Sequence, residues 1–344
     1  MDFLMELMLG DFLGKPVWLW VSFIAIVLAL LAFDLGFMHR DNHEIGVRES
    51  LGLSAGYIGM GLAFGAWVWW YLGSQSGMEY LTGFMIEKTL AMDNVFVIAM
   101  IFTFFAVPLQ YQHRVLFWGI LGVIVLRAIM IGLGAALVTQ FSWLLYVFGA
   151  FLLLTGVKML LFIHHEFNIA NNPVLRFLKK HLRVTDKPHG HRFWVRLPAP
   201  ESRGGPPSAA PGAMLVWWAT PLFLALVLIE VVDLVFAVDS VPAIFAITQD
   251  PFIVYTSNIF AILGLRALYF ALAAMIHRFQ YLKYALAIVL IFIGAKIFLV
   301  NIIGKMPAWF SLSVTFGLLL GGVLYSLYKT RNAGANKPGA APAS

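Results

Sequence analysis

The chain has 344 residues, 61% of them hydrophobic and 12% charged, with a formal net charge of +6. A soluble domain of this size usually carries about 25% charged residues, so the composition excludes a water-soluble enzyme and predicts an all-α, multi-pass membrane protein. The sequence holds no cysteine, which excludes disulfides, thiolate metal ligands and cysteine nucleophiles.

A helix needs about 20 apolar residues to cross a bilayer. By that rule nine spans are predicted, near 17–38, 51–72, 80–105, 115–138, 143–163, 216–245, 252–276, 282–303 and 308–328. Met1 to Pro16 contains Asp2, Glu6 and Asp11 and lacks a basic start, so the first apolar run is read as a retained helix, not a signal peptide. Asp34 near its end is an interfacial cap or a gate residue.

The chain divides into residues 1–72 with two helices, a first repeat at 73–163, a polar insert at 164–213, a second repeat at 214–303, a ninth helix at 304–328 and a tail at 329–344. The insert carries Arg176, Lys179, Lys180, Arg183, Lys187, Arg192, Arg196 and Arg203. Basic loops stay in the cytoplasm. Arg40, Arg48, Arg114, Arg278, Lys283, Lys329 and Arg331 then fall on the same side, and only Lys15 and Lys305 dissent. The amino terminus is predicted outside and the carboxyl terminus in the cytoplasm.

Two acidic phrases stand inside apolar sequence: Glu87-Lys-Thr-Leu-Ala-Met-Asp93-Asn94 and Asp233-Leu-Val-Phe-Ala-Val-Asp239-Ser240. In each, a carboxylate is followed six residues later by Asp and then by a small polar residue. One span later, Val-Leu-Arg127-Ala answers Gly-Leu-Arg266-Ala; one span beyond, Gly156-Val-Lys158 answers Gly294-Ala-Lys296. Each copy holds three spans, an odd number, so the second is inverted relative to the first. Inverted repeats are a recurring transporter plan with the substrate site at the midplane.

An intramembrane charge costs roughly 2.5–3.5 kcal/mol on insertion scales, so these residues need partners or a task. Positions six apart point about 120° from one another and lie roughly 9 Å apart along a straight helix. Two such carboxylates reach one ion only across a helix break, and Pro242 predicts one in the second copy by freeing the Val238 carbonyl. The candidate ligands are Glu87, Asp93, Asn94, Glu230, Asp233, Asp239 and Ser240. Oxygen sets of this kind suit Mg²⁺, Ca²⁺ or Mn²⁺; Met92 is read first as a packing residue, with a soft contact favouring Mn²⁺ as the alternative.

Arg127 and Arg266 are read as counter-ions, and Lys158 and Lys296 as snorkelling or gating cations. Structural ion pairing is the competing account of all these charges. His164-His165-Glu166 is read as an interfacial polar cap, because adjacent histidines on a helix diverge. His181, His189 and His191 show no ligand spacing.

The two acidic phrases resemble the paired signatures of the TerC family of integral membrane proteins. So does the run Asp239-Ser240-Val241-Pro242-Ala243 followed by Thr-Ser-Asn258-Ile-Phe-Ala-Ile-Leu-Gly-Leu-Arg266. Phe33-Asp34-Leu-Gly is similar to the Alx branch, which is linked to manganese export. The resemblance implies that Glu87, Asp93, Asn94, Asp233, Asp239 and Ser240 line a cation route.

The resulting expectation is a secondary transporter in a bacterial inner membrane, exporting Mn²⁺ in exchange for protons. It has no tightly bound cofactor, no enzymatic activity and no nucleic-acid partner, and its partners are the lipid bilayer, a divalent metal ion and protons. A homo-oligomer is compatible with the sequence. The alternatives are a scaffold that docks other membrane complexes through the basic insert, or a transporter of Ca²⁺ or of an oxyanion.

Overall fold

The computed structural model describes residues 6, 8–38, 47–141, 143–161, 169, 172–199, 214–273, 281–304 and 306–335, without the side chains at 34–38, 47, 93, 96, 239, 273, 301, 303 and 331–335. A two-strand hairpin, β1 (Asp11–Phe12) with β2 (Lys15–Pro16), leads into α1 (Val17–Met38), α2 (Val47–Leu72), α3 (Ser74–Phe104), α4 (Leu109–Gln140) and α5 (Leu144–Leu161). A short helix α6 (Pro173–His181) and an antiparallel hairpin, β3 (Trp194–Pro198) with β4 (Leu215–Ala219), follow. The chain then forms α7 (Pro221–Phe245), α8 (Pro251–Ile262), α9 (Leu265–Ala273), α10 (Leu282–Ile303) and α11 (Ala308–Ala335).

Among the described residues six helices are long and apolar enough to cross a membrane: α2, α4, α5, α7, α10 and α11. The bent pair α8–α9 makes a seventh. The chain is thus a predominantly helical, multi-pass membrane protein. Helices also stand at the other two expected spans. The apolar part of α1, Val17–Phe33, is shorter, and α3 is 31 residues long but carries Glu87, Lys88 and Asp93.

Two local expectations are corrected. Pro242 does not interrupt its span, since α7 runs unbroken to Phe245. Proline near a helix end removes one late hydrogen bond without requiring a bend. The break lies instead between α8 and α9, which meet at 41°. There Gly264 takes φ +79°, a conformation that glycine adopts without a Cβ penalty. A Cβ at Gly264 would also lie 2.6 Å from Cβ of Tyr57, so the kink lets α2 approach closely. Lastly, residues 216–219, placed in the sixth span, belong to strand β4, and the insert carries α6 and β3.

The helix starts follow local chemistry. Asp250 caps α8 by accepting hydrogen bonds from the backbone N–H groups of Phe252 (3.0 Å) and Ile253 (3.4 Å), with Pro251 at the first helical position. Its other oxygen pairs with Lys15 Nζ at 2.9 Å. Lys15 thus sits beside the one acid of the loop 246–250.

The core is built around α8, which is buried along nearly its whole length and packs against α3. Phe23, Phe64, Phe252 and Phe260 bind α1 and α2 to it, with the Phe64 and Phe260 rings 4.6 Å apart. α4 packs on α7 and α8, and α10 packs along α5. At this last crossing a Cβ on Gly156 would come 2.8 Å from the Ala287 carbonyl oxygen, and one on Gly294 would come 2.7 Å from that of Gly149. Small residues permit such backbone approach between membrane helices.

Candidate functional site

Arg127 of α4 and Arg266 of α9 are the largest side chains with almost no exposure, each at 1%. Burying a guanidinium in apolar surroundings is tolerated only with full compensation. Arg127 finds it on three helices. Its Nη1 donates to Glu87 Oε1 of α3, to Ser240 Oγ of α7 at 3.0 Å and to Asn258 Oδ1 of α8 at 2.6 Å. Its Nε donates to Asp233 Oδ2 of α7 at 3.4 Å.

Two amides close the network. Asn258 Nδ2 donates to Glu87 Oε2 at 3.4 Å, and Asn94 Nδ2 donates to Asp233 Oδ1 at 3.3 Å. Glu87 and Asp233, the matching first acids of the two acidic phrases, therefore share one cation. Glu87 and Asn94 are seven residues apart, as are Asp233 and Ser240. That spacing is close to two turns and puts each acid and its polar partner on one helix face.

Beside this network lies a cavity of about 20 Å³, lined by Asn94, Asp233, Gly119, Ile120, Val123 and Phe236 among others. A space of that size holds about one water-sized particle. Asn94 Oδ1 is buried and has no hydrogen-bond donor among the described residues. Asn94 and Asp233 are thus the two polar residues that line an otherwise apolar cavity.

A search with a model of the TerC family of integral membrane proteins matches residues 72–334. The chain belongs to the TerC family. An uncharacterised membrane protein of Myxococcus xanthus is 47% identical over 320 residues, covering 93% of this chain and 95% of its own. A protein of Escherichia coli K12, provisionally named membrane-bound redox modulator Alx, is 46% identical over 316 residues, covering 89% of this chain and 93% of its own. No solved structure matches the chain.

In this TerC chain the sequence-predicted residues fall into three groups. Glu87, Asn94, Asp233, Ser240 and Arg127 are brought together. Glu230 stands one turn before Asp233 but takes no part in the network, and its Oε2 is buried without a hydrogen-bond donor among the described residues. Lys158 is exposed on α5, Lys296 is half-buried on α10, and Arg266 is fully buried just past the kink. Met92 packs against the apolar core.

The side chains of Asp34, Asp93 and Asp239, the cluster His164-His165-Glu166, and the positions of Arg40, Arg203, Arg278 and Lys305 lie outside the described residues. Among the described residues no group of three His, Cys, Asp or Glu is placed to hold a metal ion.

Sequence reasoning did not assign roles to Asn258, Lys88, Gly119 or Gly122. Asn258 closes the polar run Thr256-Ser257-Asn258 inside an apolar helix, and that run is the signal that could have exposed it. Lys88 Nζ donates to the Ala261 carbonyl at 3.1 Å, on the last turn of α8 before the kink. Glu230 lies in a notch at Gly119 and Gly122, where a Cβ on Gly122 would sit 2.2 Å from Glu230 Oε1.

Gly122→Ala is therefore expected to push the carboxyl out of the notch. The clash is with the far end of a flexible side chain, so the stability loss should fall at the low end of the roughly 1–3 kcal/mol range for overpacking. Thermal unfolding of the purified variant, run beside Glu230→Gln, checks this. A large loss in Gly122→Ala would mean that the carboxyl cannot leave the notch.

Proposed function

We propose that this chain is a secondary transporter that carries a divalent cation, Mn²⁺ in our reading, out of the bacterial cytoplasm through the inner membrane in exchange for protons. The observation that carries the reading is the water-sized cavity lined by Asp233 and Asn94, next to a cluster uniting the matching acids of the two acidic phrases. Charge arithmetic supports a dication. Within the expected spans 80–105, 115–138, 216–245 and 252–276 there are five carboxylates (Glu87, Asp93, Glu230, Asp233, Asp239) against three cations (Lys88, Arg127, Arg266), leaving two formal negative charges.

The packing supports an inverted repeat. Exchanging α3, α4 and α5 for α7, α8–α9 and α10 turns the α3–α8 contact into the α7–α4 contact and returns the α5–α10 contact to itself. In this reading the chain crosses the membrane nine times, with its amino terminus outside. An inside-negative potential opposes cation exit by about 2.3 kcal/mol per charge per 100 mV, so export of a dication needs coupling. Proton uptake by the vacated carboxylates supplies it.

An oxyanion cargo would require Arg127 and Arg266 as its ligands. Arg127 already donates to Glu87, Asp233, Ser240 and Asn258, which favours the cation. The redox description given to the relatives does not reach this chain through thiol chemistry, because the sequence has no cysteine.

Asp93→Asn and Asp239→Asn variants that insert and fold are expected to lose manganese efflux from proteoliposomes carrying an opposing proton gradient. Wild-type efflux in both would remove these two aspartates from the mechanism. Loss of function on deleting residues 179–203, with efflux intact in both Asn variants, would favour the scaffold instead.

A further inference from the structure

The β3–β4 hairpin has two unlike faces. Strand pairing sets Arg196 opposite Trp217 and Trp194 opposite Ala219, and side chains alternate with a period of two. Trp194, Arg196, Leu215 and Trp217 therefore share one face, while Val195 and Trp218 occupy the other and are buried. A sheet face turned toward water normally carries polar residues. Here it carries two tryptophans and a leucine, 38%, 55% and 60% exposed for Trp194, Trp217 and Leu215.

Two further observations say what covers this face. The Trp194 ring lies 4.6 Å from that of Phe223, the third residue of α7. The apolar strip thus runs directly onto the end of a helix that is long and apolar enough to cross a membrane. Arg196 places its guanidinium 4.6 Å over the Trp217 ring and meets no carboxylate among the described residues. Such stacking leaves the edge N–H groups available to phosphate. Exposed Arg183 and Arg192 flank the base of the hairpin, where the Ala219 N–H donates to the Arg183 carbonyl at 2.8 Å and the Thr220 hydroxyl donates to the Arg192 carbonyl at 2.8 Å.

We propose that this face is a lipid-docking surface seated at the membrane–water boundary. Trp194, Leu215 and Trp217 enter the interfacial layer, where aromatic rings are favoured, and Arg196 binds the phosphate of an anionic phospholipid. The assignment does not depend on which ion is carried.

Because the chain has no cysteine, single cysteines introduced as Leu215→Cys, Trp217→Cys and, as a water-facing control, Lys187→Cys can be spin-labelled without background. The labelled proteins are placed in nanodiscs of phosphatidylcholine, with or without phosphatidylglycerol. Collisions with dissolved oxygen, which partitions into lipid, are compared with those of a polar nickel chelate.

Labels at 215 and 217 are expected to favour oxygen and the label at 187 to favour nickel, with the contrast growing when phosphatidylglycerol is present. In a parallel measurement on otherwise unaltered protein, Arg196→Gln is expected to weaken retention of phosphatidylglycerol about fivefold, and Arg196→Lys to retain most of it. Nickel-dominated collisions at both 215 and 217 overturn the proposal. So does protection from both reagents, which would mean a covering protein, or unchanged phosphatidylglycerol retention in Arg196→Gln.

Discussion

Arg127→Met is expected to destabilise the protein by about 3–5 kcal/mol, the usual cost of removing one partner from a buried ion pair. The size follows from what is left behind. Glu87 and Asp233 would remain buried without the guanidinium that both now share, and Ser240 and Asn258 would each lose a donor. Adding Glu87→Gln and Asp233→Asn to Arg127→Met should recover most of the loss, since uncharged groups tolerate the same site far better. Thermal unfolding of the single and triple variants in one detergent decides the matter. A triple variant as unstable as Arg127→Met would show that the charges are not the source of the penalty.

The second large effect lies at the α5–α10 crossing. Gly156→Ala and Gly294→Ala each drive a methyl group toward backbone oxygen, at 2.8 Å and 2.7 Å. Backbone cannot swing aside as a side-chain tip can, so each change should cost about 1–3 kcal/mol. That is opposite in sign to the gain of roughly 0.8–1.0 kcal/mol that alanine brings inside an unobstructed helix. Gly132 of α4 meets nothing within 4 Å of an added Cβ, and Gly132→Ala should therefore be neutral or stabilising. The two crossing variants share one contact surface, so their combination should depart from additivity. Unfolding midpoints for all four proteins test this, and stabilisation at 156 or 294 would mean that the helices are not held this closely.

The helices were legible from apolar run length alone, and α10 falls at the expected residues 282–303. The bend was not. Proline advertises its missing donor in the sequence, but whether a helix yields there depends on its neighbours. In the sequence Gly264 is one apolar-segment residue among many, and its role comes from Tyr57 packed against it. The sixth expected span takes in residues 216–219 of strand β4 because Leu215-Val-Trp-Trp-Ala219 is as apolar as the helix that follows it.

The candidate site was legible as a set of residues, but its pairing was not. Repetition marked Glu87, Asp233 and Arg127, because charges recurring in order inside apolar sequence are rare. Which acid meets which arginine is a matter of helix rotation and packing, which no single stretch encodes. The six-residue spacing drew attention to Asp93 and Asp239. The side chains of those two lie outside the described residues, and the network among the described ones uses the seven-residue partners Asn94 and Ser240.

Glu87 and Lys88 are adjacent in the chain, yet they reach different places. Glu87 holds the arginine at the centre, and Lys88 holds the Ala261 carbonyl just before the kink. Two levers thus share one fulcrum. A slide or roll of α3 by a fraction of a turn would tug the buried acid and the hinge of the neighbouring span together, so neither can be reset while the other stays put.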